Sequence, residues 1–426
     1  MKDDQKGSFF RQSGWLMFAN IAGGALNWGM HFLQKGVPLE MRQKEYGVFG
    51  DFLAVAMVIP TMSLQMVMAH QTALSLATNR LPELRRLIRR VTAGAVTIWA
   101  IAAIIVLYFQ NRILAHWEIA NPAGLWITLV AVLFSILMPM FWGVLQGQQN
   151  FFSLGWSMML NGAGRLFLGL FVVLMLAHLA ASSIGSYAAG MMVGVGAGMA
   201  IATAIAVWQS RSLWQGDSAP FAWRALAAEA IPPLLGFAAF QFLFTADQMF
   251  VGAYFPTDAG RYFSAGTLSR ALIWLVGPLA SVMFPRLVHS AAKGEKTNLM
   301  TLVLAGTAIL AIIGSVCLTI IAPYIIPIIY PKDFVPLVRT VLPWYTAAMI
   351  PLALANVLLS NLLAKGAFKV VVPLCILAAG YGYALTRFHD SLVMVLQTLG
   401  IANLLLLAIC GFFTFLGSKS KNASVR

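Results

Sequence analysis

The chain has 426 residues, of which 60% are hydrophobic and only 10% charged, with a mean hydropathy of +0.81. A soluble domain carries roughly 25% charged residues, so the composition excludes a soluble globular protein and implies an integral membrane one. The formal net charge of +14 would suit a nucleic-acid partner only if the basic residues gathered on a soluble face, and their order along the chain argues against that.

About 20 consecutive apolar residues cross a bilayer as a helix. Twelve such stretches are predicted, at 13–34, 47–77, 91–110, 125–145, 152–179, 184–208, 230–252, 262–284, 298–322, 340–363, 370–386 and 391–416. A strand-built barrel would show short alternating segments instead. Lys2, Asp3, Asp4, Lys6 and Arg11 precede a first stretch longer than a signal core and without a small-residue cleavage site, so no cleavable leader is expected.

Polar residues recur on single helical faces: Asn20, Asn27 and His31 in the first span, Thr61, Gln65 and Thr72 in the second, Ser157, Asn161 and Arg165 in the fifth, and Thr267, Arg270 and Trp274 in the eighth. Such stripes either bond helix to helix or line a wet cavity. "LPELRRLIRR" (81–90) is expected against anionic headgroups. Gly190, Gly194 and Gly198, at four-residue steps in the sixth span, predict close helix packing. "PYIIPIIYPKDFVPLVR" (323–339), broken by four prolines, is expected as an interfacial elbow outside the membrane. Cys317, Cys375 and Cys410 fall inside spans, without metal-ligand spacing, and are expected as small packing residues.

Lys and Arg crowd into alternate connections: Lys2, Lys6 and Arg11, then Arg80 through Arg90, Arg211 and Arg224, Arg286 to Lys296, Lys365 and Lys369, and Lys419 to Arg426. The opposite connections carry fewer. By the positive-inside rule both termini lie in the cytoplasm of a multi-pass cell-membrane protein, and the basicity is chiefly a topology signal.

An Arg or Asp at a helix centre costs on the order of 2.5–3.5 kcal/mol even on the lenient insertion scale. Asp247 sits in "FLFTADQMFVGAY" (242–254), and Arg270 lies in the next span. At 1.5 Å per residue their depths differ by only about 4–5 Å, so adjacent antiparallel helices would let them pair. Asp247 either pairs with Arg270 or titrates; pairing is the favoured reading. Arg165 has no acid at matching depth in its own hairpin, which makes it a positive charge awaiting an anion.

No connection is long enough for a nucleotide-binding domain, and no phosphate loop, H-E-x-x-H or G-x-S-x-G motif occurs. No enzyme activity, cofactor or metal is expected. The twelve spans divide as six plus six: residues 1–208, a cytoplasmic linker at 209–224, and residues 225–426. "LQGQQNF" (145–151) after span four corresponds to "LAKGAFK" (363–369) after span ten, and "YGVF" (46–49) to "AGRYF" (259–263). The expected fold is an all-α polytopic protein of two six-helix lobes, related as parallel repeats about an axis along the membrane normal.

"DQMFVGAYFPTDAGRYFSAGTLSRALIWLVGPLASVMFPRL" (247–287) resembles the polysaccharide-transporter branch, the O-antigen and oligosaccharide flippases, of the multidrug/oligosaccharidyl-lipid/polysaccharide (MOP) exporter superfamily. The matching residues are Asp247, Val251, Gly252, Gly260, Tyr262, Ala265, Leu268, Phe284 and Pro285. Gln146, Gly147, Phe151 and Arg165 in "LQGQQNFFSLGWSMMLNGAGRLFLGLFVV" (145–173) are similar to the same family. The resemblance implies a flippase that carries a polyprenyl-diphosphate-linked oligosaccharide outward by alternating access. Its partners would be that lipid-linked substrate, membrane lipids and polysaccharide-assembly proteins, with no nucleic acid. Arg165, Arg270, Asn161, Asn20, Asn27 and Gln65 would bind substrate, because Arg forms bidentate charge-assisted bonds to phosphate, and Asp247 would gate or couple. The alternatives are a cation-coupled multidrug or metabolite exporter of the same superfamily, a lipid II-type peptidoglycan-precursor flippase, and, less readily, a membrane glycan polymerase or ligase.

Overall fold

A computed structural model describes residues 3–30, 49, 52–53, 56, 61–116, 122–178, 187–220, 223–255, 258–292, 299–329 and 334–415. Among them are thirteen α-helices: α1 (Asp3–Gly29), α2 (Thr61–Ala77), α3 (Leu81–Tyr108), α4 (Gln110–His116), α5 (Ala123–Gly147), α6 (Phe151–His178), α7 (Tyr187–Gln209), α8 (Trp223–Tyr254), α9 (Ala259–Ala292), α10 (Leu299–Ile329), α11 (Val335–Ala364), α12 (Val371–Arg387) and α13 (Leu392–Phe415). Ten of these helices are long and apolar enough to cross a membrane. The two further expected spans, 13–34 and 47–77, overlap α1 and α2 but run into residues outside the described set.

Burial divides the helices by role. α11 is buried along most of its length, whereas few residues of α3 and α10 are buried. Ile98, Ile101, Ile104 and Ile105 on α3 stay exposed; a helix apolar on its outer faces is stable only where lipid is the solvent. The protein is therefore a multi-pass membrane protein. Helix α3 starts ten residues before the expected span, with Pro82 at its first turn and Glu83 beside it. Proline there supplies a preset φ and removes an orphan donor, and the acid complements the helix dipole.

Two sequence expectations change. "PYIIPIIYPKDFVPLVR" is not an elbow throughout: α10 continues through Pro323 and Pro327 to Ile329, and α11 has already begun at Val335. Membrane helices absorb prolines because neighbours and local adjustments satisfy the freed carbonyls. The cysteines also separate, since Cys410 is buried while Cys317 and Cys375 are exposed.

The chain forms two compact units, Phe18–Ala222 and Trp223–Arg426 together with Met1–Met17. The boundary falls at the end of the polar linker, and the start of α1 groups with the second unit. There Arg286 of α9 donates to Gln12 and lies over the ring of buried Phe9. The linker is not a free tether either. Arg89 donates through Nε to the carbonyl of Trp214 and through Nη2 to that of Gly216, both at 2.6 Å, and Arg85 donates to the carbonyl of Asp217. Gly216 has φ +98°, and a Cβ there would meet the Arg85 guanidinium.

The correspondence of "LQGQQNF" with "LAKGAFK" reappears as backbone geometry. After α5, Gln149 takes φ +61°, Asn150 N–H bonds the Leu145 carbonyl and Gln149 N–H that of Gln146. After α11, Gly366 takes φ +69°, with Ala367 N–H on Leu362 and Gly366 N–H on Leu363. Both are Schellman-type ends, one residue in the left-handed region satisfying the last carbonyls.

Inside the first unit, glycine sets helix spacing. A Cβ on Gly143 of α5 would collide with the Gln65 carbonyl and with Met68 Cβ of α2. Gly143→Ala is therefore expected to lower thermal stability by about 1–3 kcal/mol through overpacking. Gly94→Ala on α3, where a Cβ meets nothing within 4 Å, should be neutral or stabilising by up to about 1 kcal/mol. The fraction of monodisperse protein surviving a heating series checks both.

Candidate functional site

Helices α1, α6 and α7 approach closely enough to bury a guanidinium. A Cβ on Gly162 would strike the Gly23 carbonyl, and one on Gly164 would come within 2.8 Å of Gly198 Cα. Gly194 and Gly198, two of the three predicted packing glycines, lie against the backbone of Arg165 itself. Arg165 is thus fixed from both sides and only 4% exposed.

Its side chain is under-supplied. Nη1 donates to Asn27 Oδ1 at 2.9 Å, while Nε is buried without an acceptor. One turn earlier Asn161 Oδ1 is buried without a donor. Among the described residues no carboxylate forms an ion pair with Arg165. A guanidinium has five donor hydrogens, so the one neutral acceptor among the described residues leaves most of its capacity, and all of its charge, for groups other than these.

The other predicted polar residues of this unit divide. Asn27 joins Arg165, and Asn161 lies beside it on α6; Asn20 is half-buried on α1. Gln65 instead donates to Gln146 Oε1 at 2.9 Å, a bond between α2 and α5. That is the helix-to-helix reading of its stripe. Ser157 accepts from Trp142 Nε1 and donates to the Ala202 carbonyl, which occupies it structurally. His31 and the side chain of Thr61 lie outside the described residues.

The second unit holds the other charged group. Asp247 of α8 is fully buried. Its Oδ1 accepts from Arg270 Nη2 of α9 at 2.7 Å, as the matched depths predict. Its Oδ2 accepts from Tyr262 Oη at 2.8 Å and from Tyr345 Oη of α11. Arg270 also donates Nε and Nη2 to the Phe244 carbonyl, and its guanidinium lies 5.2 Å and 5.3 Å from the ring centroids of Phe244 and Tyr345. Gly266 makes the space, because a Cβ there would meet Arg270 Nη1, Gln248 Nε2 and Tyr345 Oη.

This cluster is chemically closed. Three donors meet the carboxylate and Arg270 cancels its charge, so little capacity remains for a substrate beyond the buried, unpaired Arg270 Nη1. Arg270, grouped with Arg165 from sequence, here serves as the counterion of Asp247. Thr267 bonds the Phe263 carbonyl and Trp274 is exposed, so their stripe does not share a lining with Arg270. Tyr345 went unnoticed in the sequence because a tyrosine in "LPWYTAAM" gives no periodic signal. Among the described residues no three His, Cys, Asp or Glu side chains cluster as metal ligands.

No protein-family model matches the chain, and no curated protein matches it in sequence. Solved structures do. A MATE transporter in its straight conformation aligns over 98% of this chain and 96% of its own, with TM-score 0.74 and 12% identity. The bent form of the MATE transporter VcmN from Vibrio cholerae aligns over 97% of each chain, with TM-score 0.72 and 12% identity. A MOP-superfamily transporter from Pyrococcus furiosus aligns over 98% of this chain and 95% of its own, with TM-score 0.69 and 12% identity. The chain has, over nearly its whole length, the all-helical fold of the MATE transporters of the MOP superfamily.

Proposed function

We propose that the chain is an alternating-access exporter whose first unit uses Arg165 to receive the anionic part of an amphipathic substrate. The observation that carries this reading is a buried guanidinium with one neutral acceptor and no carboxylate partner among the described residues. An uncompensated buried charge costs several kcal/mol, and membrane proteins keep such groups where a pathway uses them. A polyprenyl-diphosphate-linked oligosaccharide fits, with phosphate for Arg165 and hydroxyls for Asn27 and Asn161. Moving its negative headgroup out of a negative interior gains about 2.3 kcal/mol per charge per 100 mV, so ATP is not required. The protein would sit in the cytoplasmic membrane with both termini inside, beside polysaccharide-assembly proteins.

A second reading is a multidrug exporter, and the fold likeness bears on it more directly than on a lipid-linked sugar: one of the aligned structures is of a multidrug resistance MATE family transporter. Charge separates the two. A cationic drug calls for an open carboxylate, and among the described residues the one buried acid, Asp247, is already neutralised by Arg270. For the Pyrococcus furiosus transporter, reverse polarity of the binding pocket suggests a different function, so polarity is a useful criterion within this fold.

Proteoliposomes decide between them. The expected result is translocation of a fluorescent polyprenyl-diphosphate sugar, with ethidium efflux no faster than from empty vesicles. Ethidium efflux without sugar-lipid translocation would establish the drug exporter instead.

A further inference from the structure

A furrow opens sideways between the halves of α12 and α13 that meet at the turn after Arg387. Its volume is about 540 Å³, within the roughly 300–1,000 Å³ of small-molecule sites. Ile376 and Gly380 line it from α12, Phe388 from the turn just after it, and Met394, Ile401 and Leu405 from α13. Ile376, Phe388, Ile401 and Leu405 are exposed, so the furrow faces the bilayer. Gly380 keeps it open, since a Cβ there would meet nothing within 4 Å. An apolar furrow left empty in a bilayer forfeits dispersion contacts along both walls, which a hydrocarbon chain restores.

Charge at one end specifies the rest of the occupant. Ile376, Gly380, Ala384 and Arg387 follow one another at four, four and three residues, a single face of α12. Arg387 is exposed, lies over the Tyr383 ring and donates to its hydroxyl at 3.3 Å. Among the described residues it has no ion pair; the nearby exposed acid Asp390 does not pair with it. Exposed Tyr383 and Phe388 mark the interface level. From Ile376 to Arg387 the helix rises about 16 Å, half of a hydrocarbon core about 30 Å thick. The furrow is therefore one leaflet deep.

We propose that this furrow is a phospholipid site, holding one acyl chain against Gly380 with the lipid phosphate bound by Arg387. It is independent of Arg165 and of the transported substrate. A guanidinium binds phosphate through paired, charge-assisted hydrogen bonds, and a furrow one leaflet long matches the reach of an acyl chain from a phosphate held at Arg387.

The purified full-length protein in detergent, given dimyristoyl phosphatidylglycerol, should retain one lipid by native mass spectrometry. Gly380→Leu fills the furrow and should reduce retention about tenfold; Arg387→Gln should reduce it several-fold, and Arg112→Gln, at an exposed arginine of α4 that lies over Phe109 and does not line the furrow, not at all. Should Gly380→Leu fail to elute as folded protein, Ala384→Leu blocks the same wall. Equal retention by wild type and the folded blocking variant overturns the proposal. So does retention of a polyprenyl phosphate in place of phosphatidylglycerol, which would make the furrow a substrate port.

Discussion

Arg165→Gln is expected to lose substrate translocation by an order of magnitude or more while the protein becomes more stable, not less. The two directions follow from one fact. The guanidinium is 4% exposed and among the described residues has one neutral acceptor, Asn27, and no carboxylate partner, so it is a desolvated charge that none of those residues neutralises. Replacing buried ionic groups by neutral ones of similar volume is often stabilising by about 1–4 kcal/mol. Gln keeps a donor amide at about the level of the Arg165 Nε but has no charge to offer an anion. Arg165→Lys should keep partial transport, because it preserves the charge but not the planar fork that grips phosphate in two places. Thermal survival and translocation, measured on the same preparations, check the pair of effects. If Arg165→Gln is destabilised and still transports, the arginine is a packing element and the anion-receiving reading fails. Stability given up at a working site is common, since function often needs a group that folding alone would discard.

Much of this was readable in the sequence, for physical reasons that differ between features. Hydropathy located ten spans well, because a bilayer imposes a length on every helix that crosses it. The Asp247–Arg270 pair followed from depth alone: two charges on consecutive antiparallel helices at nearly equal height have few alternatives in hydrocarbon. Gly194 and Gly198 were legible for a similar reason, as a four-residue step of glycines serves little besides close approach. The polar stripes were less decisive. Gln65 and Arg165 give equally plausible faces on paper, yet Gln65 is bonded to Gln146 across the α2–α5 contact while Arg165 keeps an unsatisfied Nε. Periodicity says which residues share a face, not which neighbour that face meets. Tyr345 lies 98 residues from Asp247 in the chain, and no local pattern reports a contact made by tertiary packing. Prolines misled in the opposite sense: Pro323 and Pro327 read as breakers by the rules of soluble helices, but α10 continues through both.

Asp247→Asn should cost about 3–5 kcal/mol, the penalty for stranding a buried charge whose partner has been removed. Arg270 cannot turn to water, for it is held between the Phe244 and Tyr345 rings and tied to the Phe244 carbonyl. Removing both charges, as in Asp247→Asn with Arg270→Met, should recover most of the loss because no buried ion remains. Simple charge reversal should not rescue. Tyr262 and Tyr345 aim hydroxyl donors at position 247 and the Phe244 carbonyl offers an acceptor at position 270, so each site is built for one sign only. The doubly neutral protein also tests whether the pair serves the transport cycle. A contact made in one state and broken in another sets the balance between states through its differential strength. The stable double variant should therefore translocate poorly although it survives heating like the wild type. Heating curves for the single and double variants, followed by translocation assays on the survivors, separate the two roles. Wild-type stability in Asp247→Asn would show that the cluster is not a clamp, and wild-type translocation in the double variant would show that it is nothing more than one.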